Sequence, residues 1–97
     1  MNKVNSYIGF AKKSGSILFG ENSVLMGDAK LIVYSNAISK NFISKISKTN
    51  IDKICLNEQT FLQLNINAKV FAITNAELSK AIYTELKSIG GNNFDNK

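Results

Sequence analysis

Three apolar runs, Leu31-Ile32-Val33-Tyr34, Ile54-Cys55-Leu56 and Val70-Phe71-Ala72-Ile73, constrain this chain more than any other feature. They are rich in β-branched and aromatic residues, and they do not alternate apolar with polar as a sheet with one wet face would. Between them lie stretches whose apolar residues recur at helical spacing. Continuous apolar strands alternating with helices predict an α/β fold, a three-layer αβα sandwich around a central mixed four-stranded sheet. A chain of 97 residues has room for one core and not for two. Residues 1–90 are therefore expected to form a single domain and residues 91–97 a flexible C-terminal tail.

Taken in order, Val4, Tyr7, Ile8 and Ala11 mark one buried face of a helix over Lys3 to Ser14. Gly15 stands just past it, where positive φ is often needed. Ile17-Leu18-Phe19 reads as a short apolar link into Gly20, which opens a brief helix from Glu21 to about Gly27. A strand is expected over Ala29 to Ser35. A third helix follows over Ile38 to Lys48, capped by Ser35 or Asn36, with Ile38, Phe42, Ile43 and Ile46 inward. Ile51 to Leu56 gives the next strand, and Asn57 caps a short helix carrying Phe61, Leu62 and Leu64. Asn65-Ile66-Asn67 is a turn between two residues that tolerate left-handed backbone. Lys69 to Thr74 is the last strand. Asn75 caps a final helix with Leu78, Ala81, Ile82, Leu86 and Ile89 inward, and Gly90-Gly91 ends it.

Chemistry is narrowed by what the composition lacks. There is no histidine, and Cys55, the single cysteine, lies inside an apolar run. Zinc sites and Ser–His or Cys–His catalysis are thereby disfavoured, and Cys55 reads as a small packing residue. No catalytic residue, metal or cofactor is expected, and the chain does not read as an enzyme. No apolar run approaches a membrane span, and the N-terminus does not resemble a secretory signal, so a cytoplasmic protein is expected. Twelve lysines against seven acidic residues give a net charge of +5, which points to a polyanionic partner such as nucleic acid. All twelve cations being lysine removes the planar, bidentate contacts that arginine makes to guanine and phosphate.

Several local motifs then add together. Ile8-Gly9-Phe10-Ala11-Lys12-Lys13-Ser14-Gly15, Gly20-Glu21-Asn22-Ser23-Val24-Leu25, Gly27-Asp28-Ala29-Lys30-Leu31-Ile32-Val33 and Val70-Phe71-Ala72-Ile73-Thr74-Asn75 with Leu78-Ser79-Lys80-Ala81-Ile82 occur in this order. Each is weak alone. In this order and spacing, up to about Ile89, they resemble the kink-turn RNA-binding ribosomal proteins of archaeal and eukaryotic type, and within that family its small bacterial YlxQ-like branch.

The resemblance implies a ribosome-associated or other structured-RNA-binding protein, with ribosomal RNA or the ribosome as partner, no membrane and no DNA specificity. The start of the second helix, with Gly20, Glu21, Asn22 and Ser23, and Met26 one turn on, falls on the family's groove-reading region, Asn22 at the base-reading position. Asn36 and the loop Asn65-Ile66-Asn67 fall on two further contact regions, the loop being the apolar cover of bulged nucleotides, while the residues themselves leave Ile66 equally suited to tucking under the sheet. Lys12 and Lys13 would add phosphate contacts, beyond the helix-dipole compensation that their place in a last turn already explains. The chemistry is consistent: a helix start favours phosphate, and an Asn amide both donates to and accepts from a base edge. Ser23 stands where RNA-binding members carry Glu or Gln, and Met26 where they carry Lys or Arg. Ser16, Leu18 and Phe19 replace basic residues of archaeal members, and the loop lacks a glycine near Gln63. The alternative is a protein–protein interaction module on the same scaffold that has lost kink-turn recognition. It would use Leu18, Phe19 and Met26 as an apolar patch if they are open beside Gly20. Phe19 and Met26 are otherwise expected at the core or its edge.

Overall fold

The computed structural model describes residues 2–88 together with 92 and 93. Its elements are α1 (Asn2–Ser14), β1 (Ile17–Phe19), α2 (Glu21–Met26), β2 (Leu31–Ser35), α3 (Lys40–Ile46), β3 (Asp52–Leu56), α4 (Glu58–Gln63), β4 (Val70–Ile73), α5 (Ala76–Ser88) and β5 (Asn92–Asn93). The strands form one mixed sheet in the order β1-β4-β2-β3-β5. β2 and β3 run parallel, with Leu31 opposite Asp52 and Ser35 opposite Leu56. β4 lies antiparallel between β1 and β2, so Phe71 faces Phe19 on one side and Val33 on the other.

Both sheet faces are covered, as the apolar runs require. Leu31, Val33, Ile54, Leu56, Phe71 and Ile73 point toward α1, α4 and α5, where Val4, Ile8, Ala11, Phe61, Leu64, Ile82 and Leu86 complete one core. Ile32, Tyr34, Val70 and Ala72 point the other way, onto Val24 of α2 and Phe42 and Ile46 of α3. The αβα sandwich with its four principal strands is thus present, and each strand supplies both layers by simple alternation.

Three local details differ from expectation. Ile17-Leu18-Phe19 is not a link but an edge strand, too short for its pairing with β4 to leave a periodic trace in sequence. α3 begins at Lys40 with Ser39 as its cap, its hydroxyl accepting the Phe42 N–H at 3.2 Å. Neither Ser35 nor Asn36 caps it: the Ser35 hydroxyl accepts from the Ala37 N–H instead, in a local turn. Where a frayed tail was expected, Asn92 and Asn93 pair antiparallel with Cys55 and Ile54 as a two-residue fifth strand. Ile89, the Gly90-Gly91 stop and residues 94–97 lie outside the described residues.

The other punctuation is as expected. Gly15 and Gly20 have φ of 71° and 88°, and Asn65 is left-handed at φ 60°. Asn57 accepts from the Thr60 N–H at 2.8 Å, and Asn75 from the Leu78 N–H at 2.9 Å. The Asn75 cap opens the helix that packs along α1. Asn75→Ala is expected to lower stability by about 1 kcal/mol, within a range of about 0.5–2 for such caps. Thermal denaturation checks it, and an unshifted midpoint would mean that packing alone holds α5. No helix among the described residues is long and apolar enough to cross a membrane.

Candidate nucleic-acid interface

Three backbone hydrogen bonds gather the loops at one end of the sheet. The Gly20 N–H, just after β1, donates to the Val70 carbonyl at 3.1 Å. The Ser35 N–H, at the end of β2, donates to the Lys69 carbonyl at 2.9 Å, and the Asn36 N–H to the Leu56 carbonyl at 2.9 Å. The ends of β1, β2 and β3 and the beginning of β4 therefore emerge together. Gly20, Asn36 and the Asn65–Asn67 loop, far apart in sequence, share that end.

At β1, Gly20 turns the chain into α2 with φ 88° and ψ 159°, a conformation essentially confined to glycine. No side chain caps the helix that follows, so its positive end is offered to whatever lies in front of it. Glu21, Asn22 and Ser23 are exposed there, while Val24 alone anchors the helix to the sheet. Met26 is not at the core edge: it is 87% exposed. A six-residue helix held by one buried side chain turns the residue two positions on away from the core, and Met26 comes to share the face of Asn22 one turn earlier. Leu25, 38% exposed, and Phe19, 40% exposed, lie open as well. Leu18 is half-buried and packs over Gly27, where a Cβ would collide with it.

The Asn65–Asn67 loop meets α1 across an open cleft of about 360 Å³ lined by Lys12, Phe19, Asn65, Ile66 and Asn67, toward the small end of ligand pockets. The Lys12 ammonium stands 6.0 Å from the centre of the Phe19 ring. Lys13 is exposed in the same turn but does not line this cleft. Ile66 is not an outward apolar finger. At 5% exposure it belongs to the core under α1, α4 and α5, because the left-handed Asn65 turns the chain back over Phe61 and Leu64. The exposed apolar residue of this region is Leu62, at 68%. The spacing that buries Phe61 and Leu64 three apart on α4 is the signal that leaves Leu62 outward. Leu62, Ile66 and Asn67 line a second cleft with Ser35, Glu58 and Lys69, so Ile66 and Asn67 border both.

Among the described residues, three side chains have shifted protonation, and none of them belongs to this surface. The Tyr34 hydroxyl donates to the Cys55 thiol beside it in the β2–β3 pair, and burial first, then the neighbouring thiol, pushes Tyr34 up to about 12. Burial also raises the Cys55 thiol, against a smaller lowering by the Tyr34 hydroxyl, and its side chain packs against the core on the α3 face. Lys53 is buried on β3 and donates to the Thr49 and Ile51 carbonyls at 2.9 and 2.6 Å. Burial lowers its affinity for the proton, against a smaller opposing pull from Asp52. It is a structural lysine tying the end of α3 to β3. A further concavity, lined by Lys30, Asp52, Ser79, Lys80 and Tyr83, lies at the opposite end of the sheet and holds none of the sequence candidates.

No family model and no curated protein matches this chain. Among solved structures, it is similar to a protein with unknown function from Bacillus halodurans, at 20% identity and a TM-score of 0.69, over 88% of this chain and 97% of that one. At that identity the likeness speaks to the fold alone, a mixed α/β sandwich held in common over nearly the full length of both chains.

Proposed function

We propose that this chain binds structured RNA with the sheet end formed by the start of α2, Asn36 and the Asn65–Asn67 loop, as the kink-turn binders it resembles do. The convergence of these loops carries the reading: backbone bonds hold Gly20 and Ser35 to the start of β4, and a third holds Asn36 to the end of β3. That places an uncapped helix start, exposed amide side chains and Lys12 on a single surface of a chain with net charge +5. The helix start and Lys12 favour phosphate, and Asn22 offers both a donor and an acceptor to a base edge. A cytoplasmic, ribosome-associated role belongs to the same proposal, and no catalytic step does. Ser23 and Met26 bring no charge to the groove-reading face. Fewer charge-assisted bonds then form, each worth about 1.5–3 kcal/mol.

The test is a titration against a labelled kink-turn RNA and an unkinked stem at two salt concentrations. Preference for the kinked RNA that persists at the higher salt is the expected result. Equal binding to both that vanishes with salt would leave only lysine–phosphate attraction. Asn22→Ala is expected to weaken binding by about 1–3 kcal/mol, the value of one base-reading pair. Unchanged affinity would remove Asn22 from the interface.

The open side chains of Phe19, Leu25 and Met26 beside Gly20 favour a second reading, a protein-docking surface on the same end. Of the three residues expected to decide it, Phe19 and Met26 are exposed and Leu18 is not. Absence of RNA binding at low salt would shift the assignment to this reading.

A further inference from the structure

We infer that Phe19 is a stacking platform for one unpaired nucleobase, and that the cleft beside it seats that nucleotide. The inference rests on the RNA reading and adds a subsite to it. Among the described residues, β1 is an edge strand paired only with β4, and no neighbouring strand of theirs covers its outer side. Its last residue leaves an aromatic ring 40% exposed, facing a cleft whose other walls are Lys12, Asn65, Ile66 and Asn67. Unstacked bases are held by aromatic faces and read at their edges by polar side chains. This cleft has one of each part. Phe19 supplies the ring, Asn65 and Asn67 are exposed amides that can donate and accept in one plane, and buried Ile66 supplies a fixed apolar floor.

Charge argues for a nucleotide over a peptide. Among the described residues, the cleft lining holds a lysine and no carboxylate, within a chain of net charge +5. At 6.0 Å from the ring centre, the Lys12 ammonium is at the outer limit of cation–π attraction. It is not seated on the ring, and its four-carbon stem lets it reach the phosphate of a nucleotide whose base takes the ring face. The backbone supports the geometry. Phe19 is fixed opposite Phe71, and Asn65 is held by its left-handed turn and by its N–H bond to the Leu62 carbonyl at 3.0 Å.

The chain contains no tryptophan, so Phe19→Trp places a single indole reporter at the cleft. The probe is a fluorescein-labelled kink-turn RNA with an extruded nucleotide, bound at low salt and followed by anisotropy, with indole emission read in parallel. Phe19→Leu is expected to weaken binding by about five- to a hundredfold, the range for losing one stacked base. Phe19→Tyr is expected to retain it, and the emission of the F19W protein to be quenched as RNA binds. Wild-type affinity in Phe19→Leu, or unchanged F19W emission while anisotropy reports bound RNA, would overturn the stacking role and leave the RNA reading standing. Failure of the wild-type protein to bind the RNA would overturn both. The exposed, edge-strand position makes the leucine variant compatible with folding, and the F19W readout does not depend on affinity.

Discussion

Phe71→Ala is expected to cost about 3–5 kcal/mol of folding stability, the range for removing a fully buried phenylalanine. The side chain is completely buried in the second strand of the sheet, paired on one side with Phe19 and on the other with Val33. Its ring meets that of Phe61 at 5.8 Å between centroids and 54° between planes, a tilted contact that adds roughly 0.5–1.5 kcal/mol beyond the area buried. The cavity would open beneath α1, α4 and α5 together, and the rigid strands around it cannot close in to fill it. A domain of this length has on the order of 5–15 kcal/mol in total. The variant should therefore be marginal, with a fall in Tm on the order of 20 °C. Denaturant unfolding of the variant, with Phe71→Leu as the milder control, measures it. A loss below about 1 kcal/mol, the level of an ordinary substitution, would mean that the core under α4 is loose. The interface depends on this core, since Ile66 and α4 rest on it and Val70 next door holds Gly20.

What the sequence disclosed of this fold is what depends on few residues at a time. The Asn57 and Asn75 caps, the left-handed Asn65 and the three apolar strands each reflect local chemistry, and each is where the pattern puts it. The α3 cap is ambiguous in sequence because Ser35, Asn36 and Ser39 are all good capping residues. The choice among them was made by a tertiary fact, the commitment of Ser35 to its own turn at the end of β2. β1 and β5, of three and two residues, are strands only because a partner is present; neither is long enough to show a period. The surface followed the same division. Asn22 and Asn36 were placed by motif and lie exposed. The roles of Ile66 and Met26 turn on the direction a side chain takes from a short turn or helix, which periodicity cannot fix over so few residues, whereas the spacing of Phe61 and Leu64 already points Leu62 outward. Phe19, expected at the core or its edge, shows its exposed ring only once β1 is seen to be the edge of the sheet.

Between about pH 10 and pH 12 the protein is expected to lose about 2–3 kcal/mol of stability through Tyr34 alone, the value of a two-unit shift at about 1.4 kcal/mol per unit. The sign follows from which state keeps the proton. An unfolded tyrosine ionises near pH 10, whereas the buried Tyr34 hydroxyl holds its proton to about 12. In that window the unfolded chain binds fewer protons than the native one, so stability falls as pH rises. Cys55 acts in the same direction from its own ordinary range upward, because burial raises it too. Lys53 acts in the opposite direction: lowered by burial, it gives up its proton at a lower pH in the native state than in the unfolded chain, and this adds stability as pH rises between the two. That opposing contribution ends once the unfolded lysine has titrated, near pH 10.5, and above it Tyr34 falls unopposed by Lys53. Tyr34→Phe keeps the packed ring and removes the ionisable group. Urea unfolding at several alkaline pH values should show the wild-type curve falling more steeply than that of Tyr34→Phe, with the two converging below pH 9. Parallel curves would mean that Tyr34 ionises as freely in the native protein as in the unfolded chain, and that the β2–β3 pair on the α3 face admits water. The change should leave RNA affinity at neutral pH untouched, because Tyr34 lies buried under α2 and α3 and lines neither cleft of the interface.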